Sequence, residues 1–178
     1  PEIDTMKKPV PLHPAALAAA ACALTLLSLS SAHADSGRAM PRNVPNAYTQ
    51  ECAACHTAYP PGLLPAASWN RVMTGLDKHY GTDASLDAAT VRQLNQWLQA
   101  HAGTYKRVNE EPPEDRITHS AWFEHKHRKI EPATWKLASV KSAANCAACH
   151  TGADRGEFDE HDLRMPVGLD ARSRRAWN

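Results

Sequence analysis

The chain has 178 residues, with 20 Lys and Arg against 19 Asp and Glu and a formal net charge of +1 at neutral pH. So even a balance provides no strong field for nucleic acid or for a charged membrane surface, and no nucleic-acid partner is expected. With 6% aromatics and 13 Pro, the polypeptide alone builds a thin core, and small lobes of that kind need a metal, a disulfide or a cofactor as staple.

The first predicted element is a leader. After residues 1–5, Met6-Lys7-Lys8 forms a short basic start, and Ala15 to Leu29 is an almost unbroken apolar run. Ala32 and Ala34 then occupy the −3 and −1 positions of a small-residue site. This is the grammar of a secretory signal peptide cleaved between Ala34 and Asp35, which implies export to the periplasm. The apolar run falls short of the ~20 residues that span a bilayer, so the mature chain is expected not to be membrane-spanning.

The next stretch, "NAYTQECAACHT", reads as a short helix that ends in Cys52, Cys55 and His56. The same pentapeptide returns as Cys146, Cys149 and His150. Of the five Cys only Cys22 lies outside the two copies, and it leaves with the leader. Cys-x-x-Cys-His is the attachment signature of c-type haem. Two thiols three positions apart can both add to the vinyl groups of one porphyrin, and the adjacent His then reaches the iron. Structural disulfides suit an oxidising compartment but leave each following His unexplained. A zinc site made from both pairs would have to close a gap far longer than the usual ~15–20 residues. A thioredoxin-like pair would need a βαβ context that the pattern lacks. Two covalently bound haem c groups are the expectation.

Between the motifs, "PAASWNRVMTGLDKHYG" carries Trp69, Val72, Met73, Leu76, His79 and Tyr80 at helical spacing, with Gly81 as a stop. "SLDAATVRQLNQWLQAHAG" reads as a helix with Ser85 as N-cap, Val91, Leu94, Trp97 and Leu98 on one face, and Gly103 at its end. These helices and the first motif make a first haem lobe over residues 35–103. The charged stretch 104–116, with Pro112-Pro113, reads as a linker. "THSAWFEHKHRKI" is the next helical candidate, followed by the second motif in a second lobe, 117–178, whose polar tail from Asp159 wraps the surface. The fold class expected is mainly α: two small haem-binding lobes with long irregular loops and no periodic strand signal.

Each motif supplies one axial ligand, His56 or His150. For the opposite face of each iron the mature chain has His79, His101, His119, His125, His127 and His161, with Met40, Met73 and Met165 as sulfur donors. His79 continues the Trp69/Val72 stripe, whereas His101, four residues after Trp97, sits at a helix end beside Ala and Gly. His127 shares a helical face with Phe123 and Ile130, and His125 shares one with Trp122 and Lys129. The pattern favours His79 and His127 and leaves His101 and His125 as their rivals. Met165-Pro166 is the sulfur alternative.

The order ECxxCH, "MTGLDKHYG", a Pro/Glu-rich link, "RITHSAWFEHKHRKI" and "ANCAACHTGADRGEFDE" resembles the small bacterial dihaem cytochrome c family, from about Pro45 to Pro166. Leu76 to Gly81 matches its Leu-x-x-His-[Phe/Tyr]-Gly pattern, and His127 to Ile130 its His-Arg-x-[Ile/Val] stretch. The extra His125 departs from that pattern. The resemblance implies bis-histidine ligation at both irons, a first lobe like a single-haem cytochrome c and a less regular second lobe. It also implies electron exchange with other redox proteins, including a single-haem oxygen-binding cytochrome c and membrane b-type cytochromes. The expected function is low-potential electron transfer and not enzymatic turnover. The competing readings are a dihaem peroxidase, which needs an open coordination position, and a gas-binding haem sensor. Mass spectrometry of the exported protein should find a chain beginning near Asp35, carrying two haem masses and no free thiol. Cys146→Ala should compromise loading of the second haem while leaving the first in place.

Overall fold

A computed structural model describes residues 39–104, 108, 110–175 and 177. The expected leader, its expected cleavage site and Cys22 lie outside the described residues, as do positions 105–107 and 109 of the expected linker. Ser36–Asn178 forms one compact unit. Among the described residues the regular structure is helical: α1 (Asn46–Cys52), α2 (Ala66–Thr74), α3 (Ala88–Ala100), α4 (Ala121–Lys126) and α5 (Ala171–Arg175), joined by short 3-10 turns. Strand-like pairing among them is limited to the isolated bridges His79–Thr82 and His150–Leu163. No described helix is long and apolar enough to cross a membrane.

α2 and α3 pack against each other and, with α1, enclose a core of Tyr48, Ala58, Leu64, Trp69, Met73, Leu94 and Leu98. Each buried aliphatic side chain of this set contributes about 1.5–3 kcal/mol relative to exposure. α3 begins at Asp87, not at the expected Ser85. The Asp87 carboxylate accepts from the backbone N–H of Ala89 at 2.9 Å and of Thr90 at 3.1 Å. Asp caps a helix as well as Ser does, so the pattern alone could not rank the two. Trp69 is buried with its indole N–H donating to the Pro61 carbonyl at 2.7 Å.

α2 is shorter than its stripe suggested. It ends at Gly75, a 3-10 turn covers Leu76–Lys78, and His79 lies beyond the helix. Tyr80 and Gly81 then both take positive φ, 48° and 96°, and Thr82 N–H donates to the His79 carbonyl at 3.0 Å. Positive φ at both central residues is the mirror-image hairpin turn, which Gly adopts without steric cost. The stop signal read at Gly81 is therefore a turn signal. His79 is held by a rigid corner and not by the last turn of a helix.

The linker is anchored to the first segment. Arg71 forms paired contacts of 2.6 and 2.8 Å to Asp115 and one of 2.6 Å to Glu111. That guanidinium holds the Asp115 carboxyl below the usual carboxylate range. Arg116 lies 4.3 Å over the Tyr80 ring, and Tyr80 Oη donates to the carbonyls of Glu114 and Asp115.

From 117 onward regular structure is sparse. Ser120 caps α4 by accepting from Phe123 N–H at 3.2 Å, and α4 stops at Lys126, so His127 is its C-cap. The tail does more than wrap the surface: Pro166, Leu169 and Ser173 are buried, and Arg174 donates to the Leu169 carbonyl at 2.9 Å. Leu94 is fully buried where α3 meets the core, so Leu94→Ala should destabilise the loaded protein by about 2–5 kcal/mol. Denaturant unfolding should show a lower midpoint with both haems retained.

Candidate functional site

The first Cys-x-x-Cys-His copy is built on a helix end. Cys52 is the last residue of α1, Ala53 caps the helix by donating to the Thr49 carbonyl, and Cys55 and His56 follow in a turn. The second copy is a 3-10 turn over Cys146–Ala148, closed by His150 N–H donating to the Cys146 carbonyl at 2.9 Å. Among the described residues no disulfide joins Cys52, Cys55, Cys146 and Cys149. Burial, with Glu51 nearby, pushes the Cys52 thiol up to about 11, and burial pushes that of Cys146 to about 11 as well. Metal-binding or redox-active thiols are normally shifted the other way, so neither Cys52 nor Cys146 is tuned as a thiolate. Among the described residues no three His, Cys, Asp or Glu side chains converge as ligands for a bare ion.

What the fold does bring together is imidazoles, in pairs. The ring centres of His56 and His79 are 6.2 Å apart, and those of His127 and His150 are also 6.2 Å apart. Two imidazoles sharing one metal through nitrogens at about 2 Å each would place their ring centres about 6 Å apart. The pairs differ in attitude, with interplanar angles of 24° for His56–His79 and 77° for His127–His150. In the first pair the motif histidine comes earlier in the chain, and in the second it comes later.

Local hydrogen bonds set which nitrogen of each ring is available. His56 Nδ1 lies 2.7 Å from the Thr57 carbonyl, and His127 Nδ1 lies 2.9 Å from the Phe123 carbonyl. A carbonyl only accepts, so Nδ1 carries the proton in both rings and the lone pair is left on Nε2. Buried His150 Nδ1 has no partner among the described residues. An unmet buried polar atom costs about 1–3 kcal/mol. Burial, with His56 and Arg116 nearby, lowers the His79 pKa; burial also lowers those of His127 and His150. All three therefore favour the neutral, metal-binding form.

The walls are aromatic. Tyr59 stacks on His56 at 4.7 Å and 16°, Phe123 stacks on His127 at 4.0 Å and 21°, and Phe158 meets His150 edge-on at 5.3 Å. A cavity of about 720 Å³ lies between His127, His150, Cys146 and Cys149, with Trp135, Ile130, Phe158 and Leu163 among its lining residues. That volume is within the range of cofactor sites, about 300–1,000 Å³. Its rim is basic and exposed at Arg128 and Lys129, while Lys126 is paired with Glu160 at 2.7 Å.

The remaining candidates are placed elsewhere. His125, His119 and His161 are exposed. His101 is exposed too, with Nδ1 donating to the Trp97 carbonyl at 2.8 Å. Met73 is buried in the core, Met40 packs against it, and Met165 is exposed. The sequence reading missed Tyr59, Phe123 as a ring partner, and Phe158. Their signal was an aromatic within a few residues of each His in a chain with few aromatics.

A helical chain with two Cys-x-x-Cys-His turns, each facing a second imidazole, has the build of a c-type cytochrome. Residues 48–158 match the family model for dihaem cytochrome c. The chain is similar to the diheme cytochrome c of Rhodobacter sphaeroides, at 41% identity over 65% of this chain and 97% of that one, with a TM-score of 0.58. A second structure, of DHC purified from the same organism, matches at 41% identity over 65% of this chain and 98% of that one, TM-score 0.56. A diheme cytochrome type c from Shewanella baltica matches at 34% identity over 70% of this chain and 96% of that one, TM-score 0.61. Comparison with curated proteins finds no match. The chain belongs to the dihaem cytochrome c family, with two covalently bound haem c groups as its cofactors. The residues fit such groups: paired thiols beside an imidazole, a facing imidazole at a one-metal distance, aromatic walls, and an orphaned ring nitrogen beside a cavity. Proteins of this family generally carry electrons.

Proposed function

We propose that the protein is a periplasmic, low-potential electron carrier with two bis-histidine haems. Cys52 and Cys55 attach one haem, held between His56 and His79. Cys146 and Cys149 attach the other, held between His150 and His127. The observation that carries this reading is the recurrence of one 6.2 Å imidazole spacing at both motifs. The first lobe, 35–103, and the second, 117–178, are joined by 104–116, and Arg71 pins that link to the first.

Two imidazoles per iron leave no position for substrate, which favours electron transfer over peroxidase chemistry or gas sensing. Imidazole in place of Met sulfur lowers the reduction potential, because Met ligation raises it. The partners are other redox proteins, a single-haem cytochrome c or a membrane b-type cytochrome.

The unequal angles give this reading a spectroscopic test. Each imidazole raises the iron d orbital perpendicular to its own plane. Parallel rings raise the same orbital and split the pair, whereas perpendicular rings raise both and leave them nearly equal. Electron paramagnetic resonance of the oxidised protein should therefore show two low-spin signals, one ordinary rhombic and one of much larger anisotropy. Carbon monoxide should not bind the reduced wild type. His79→Ala should admit it at the first iron and His127→Ala at the second. Binding to the wild type, or opening by His101→Ala or His125→Ala instead, would refute the ligand assignment.

Partner docking falls on the basic rim of the second site, where steering responds to local potential and not to net charge. Changing Arg128 and Lys129 to Glu should slow exchange with an acidic redox partner several-fold at low ionic strength. Stopped-flow mixing should show the difference fading toward about 0.15 M salt, where screening acts within about 8 Å.

A further inference from the structure

Tyr59 touches the first motif and the turn that leads into the second. Its ring stacks on His56, and its hydroxyl donates at 2.7 Å to the carbonyl of Ala144, 85 residues on, in the turn that leads into Cys146. Its backbone is fixed as well, because the Tyr48 hydroxyl donates to the Tyr59 carbonyl and Tyr48 is 2% exposed. Pro60 and Pro61 follow directly, both buried, and stiffen the chain beyond it.

Among the described residues the His56 ring makes one hydrogen bond, from Nδ1 to the adjacent Thr57 carbonyl. A single hydrogen bond fixes one nitrogen but leaves the ring able to swing about that contact. A stacked ring at 16° removes that freedom, and the plane it sets is within 24° of the His79 plane. At the second site the corresponding stack lies on the facing residue: Phe123 on His127, with no onward hydrogen bond for a phenyl group to make. Tyr is thus the residue type that can stack on one imidazole and reach a second loop.

We propose that Tyr59 is the positioning residue that couples the two sites, setting the plane of the His56 imidazole and tying it to the loop that enters the second motif. This rests on the bis-histidine reading above. In the exchange it supports, one electron leaves the reduced iron of one site and arrives at the oxidised iron of the other. No bond is made or broken, no proton moves, and Tyr59 is not itself oxidised.

The test uses the full-length, doubly haem-loaded protein with Tyr59→Leu and Tyr59→Phe. In Tyr59→Leu the ring is gone, so the rhombic signal of the first site should shift or broaden in electron paramagnetic resonance while the second signal stays as in the wild type. Tyr59→Phe keeps the stack and removes the hydroxyl. It should retain the first-site signal but slow exchange between the sites of the half-reduced protein several-fold, measured by flash photolysis. A wild-type first-site signal in Tyr59→Leu, or wild-type exchange in Tyr59→Phe, would overturn the assignment. A wild-type protein without two low-spin signals would instead refute the ligand reading on which it rests, and that control is read before any variant.

Discussion

Two imidazoles with centres 6.2 Å apart are too far apart to touch and too close to admit another side chain between them. A gap of that width accepts a thin body that bonds to both inner nitrogens, and the chain is built round two such gaps. Much of the surrounding structure serves to hold one ring at a time. A tight turn places His79, the end of α4 places His127, and the two Cys-x-x-Cys-His turns place His56 and His150. None of these is a long helix whose own stability could hold the ring. Each is a corner, fixed by backbone hydrogen bonds and by an aromatic neighbour.

The distribution of the core follows from the same economy. The first segment has a contiguous cluster under α1, α2 and α3, whereas the segment after 117 buries scattered single residues, Phe123, Val140, Ala153 and Leu169. That segment, with little apolar area of its own, lines a cavity of about 720 Å³.

The two sites are alike in spacing and unlike in detail. His56 has a carbonyl partner and a stacked Tyr, whereas His150 has neither and meets a Phe edge. The first pair is near-parallel and the second near-perpendicular. Such differences give the two sites distinct surroundings.

Much was legible in the sequence because it depends on local covalent spacing. Two Cys-x-x-Cys-His copies name the cofactor, since porphyrin chemistry dictates where two thiols and an imidazole must stand. The apolar stripe of α3 and the mainly helical class followed from periodicity, and the family resemblance from residue order. What tertiary structure decided is where the rings meet. The stripe through Trp69 and Val72 seemed to carry His79 on a helix, but Gly75 ends α2, and the Tyr80-Gly81 turn aims the imidazole instead. Helical spacing also put His125 and His127 on rival faces. Only packing buries His127 against Phe123 and Trp135 while leaving His125 exposed. Nothing local marked the reach of the Tyr59 hydroxyl, because its partner lies 85 residues away. Short-range pattern records which residues can form a turn or bind a group, whereas pairing across such distances depends on how the whole chain closes, which no local pattern encodes.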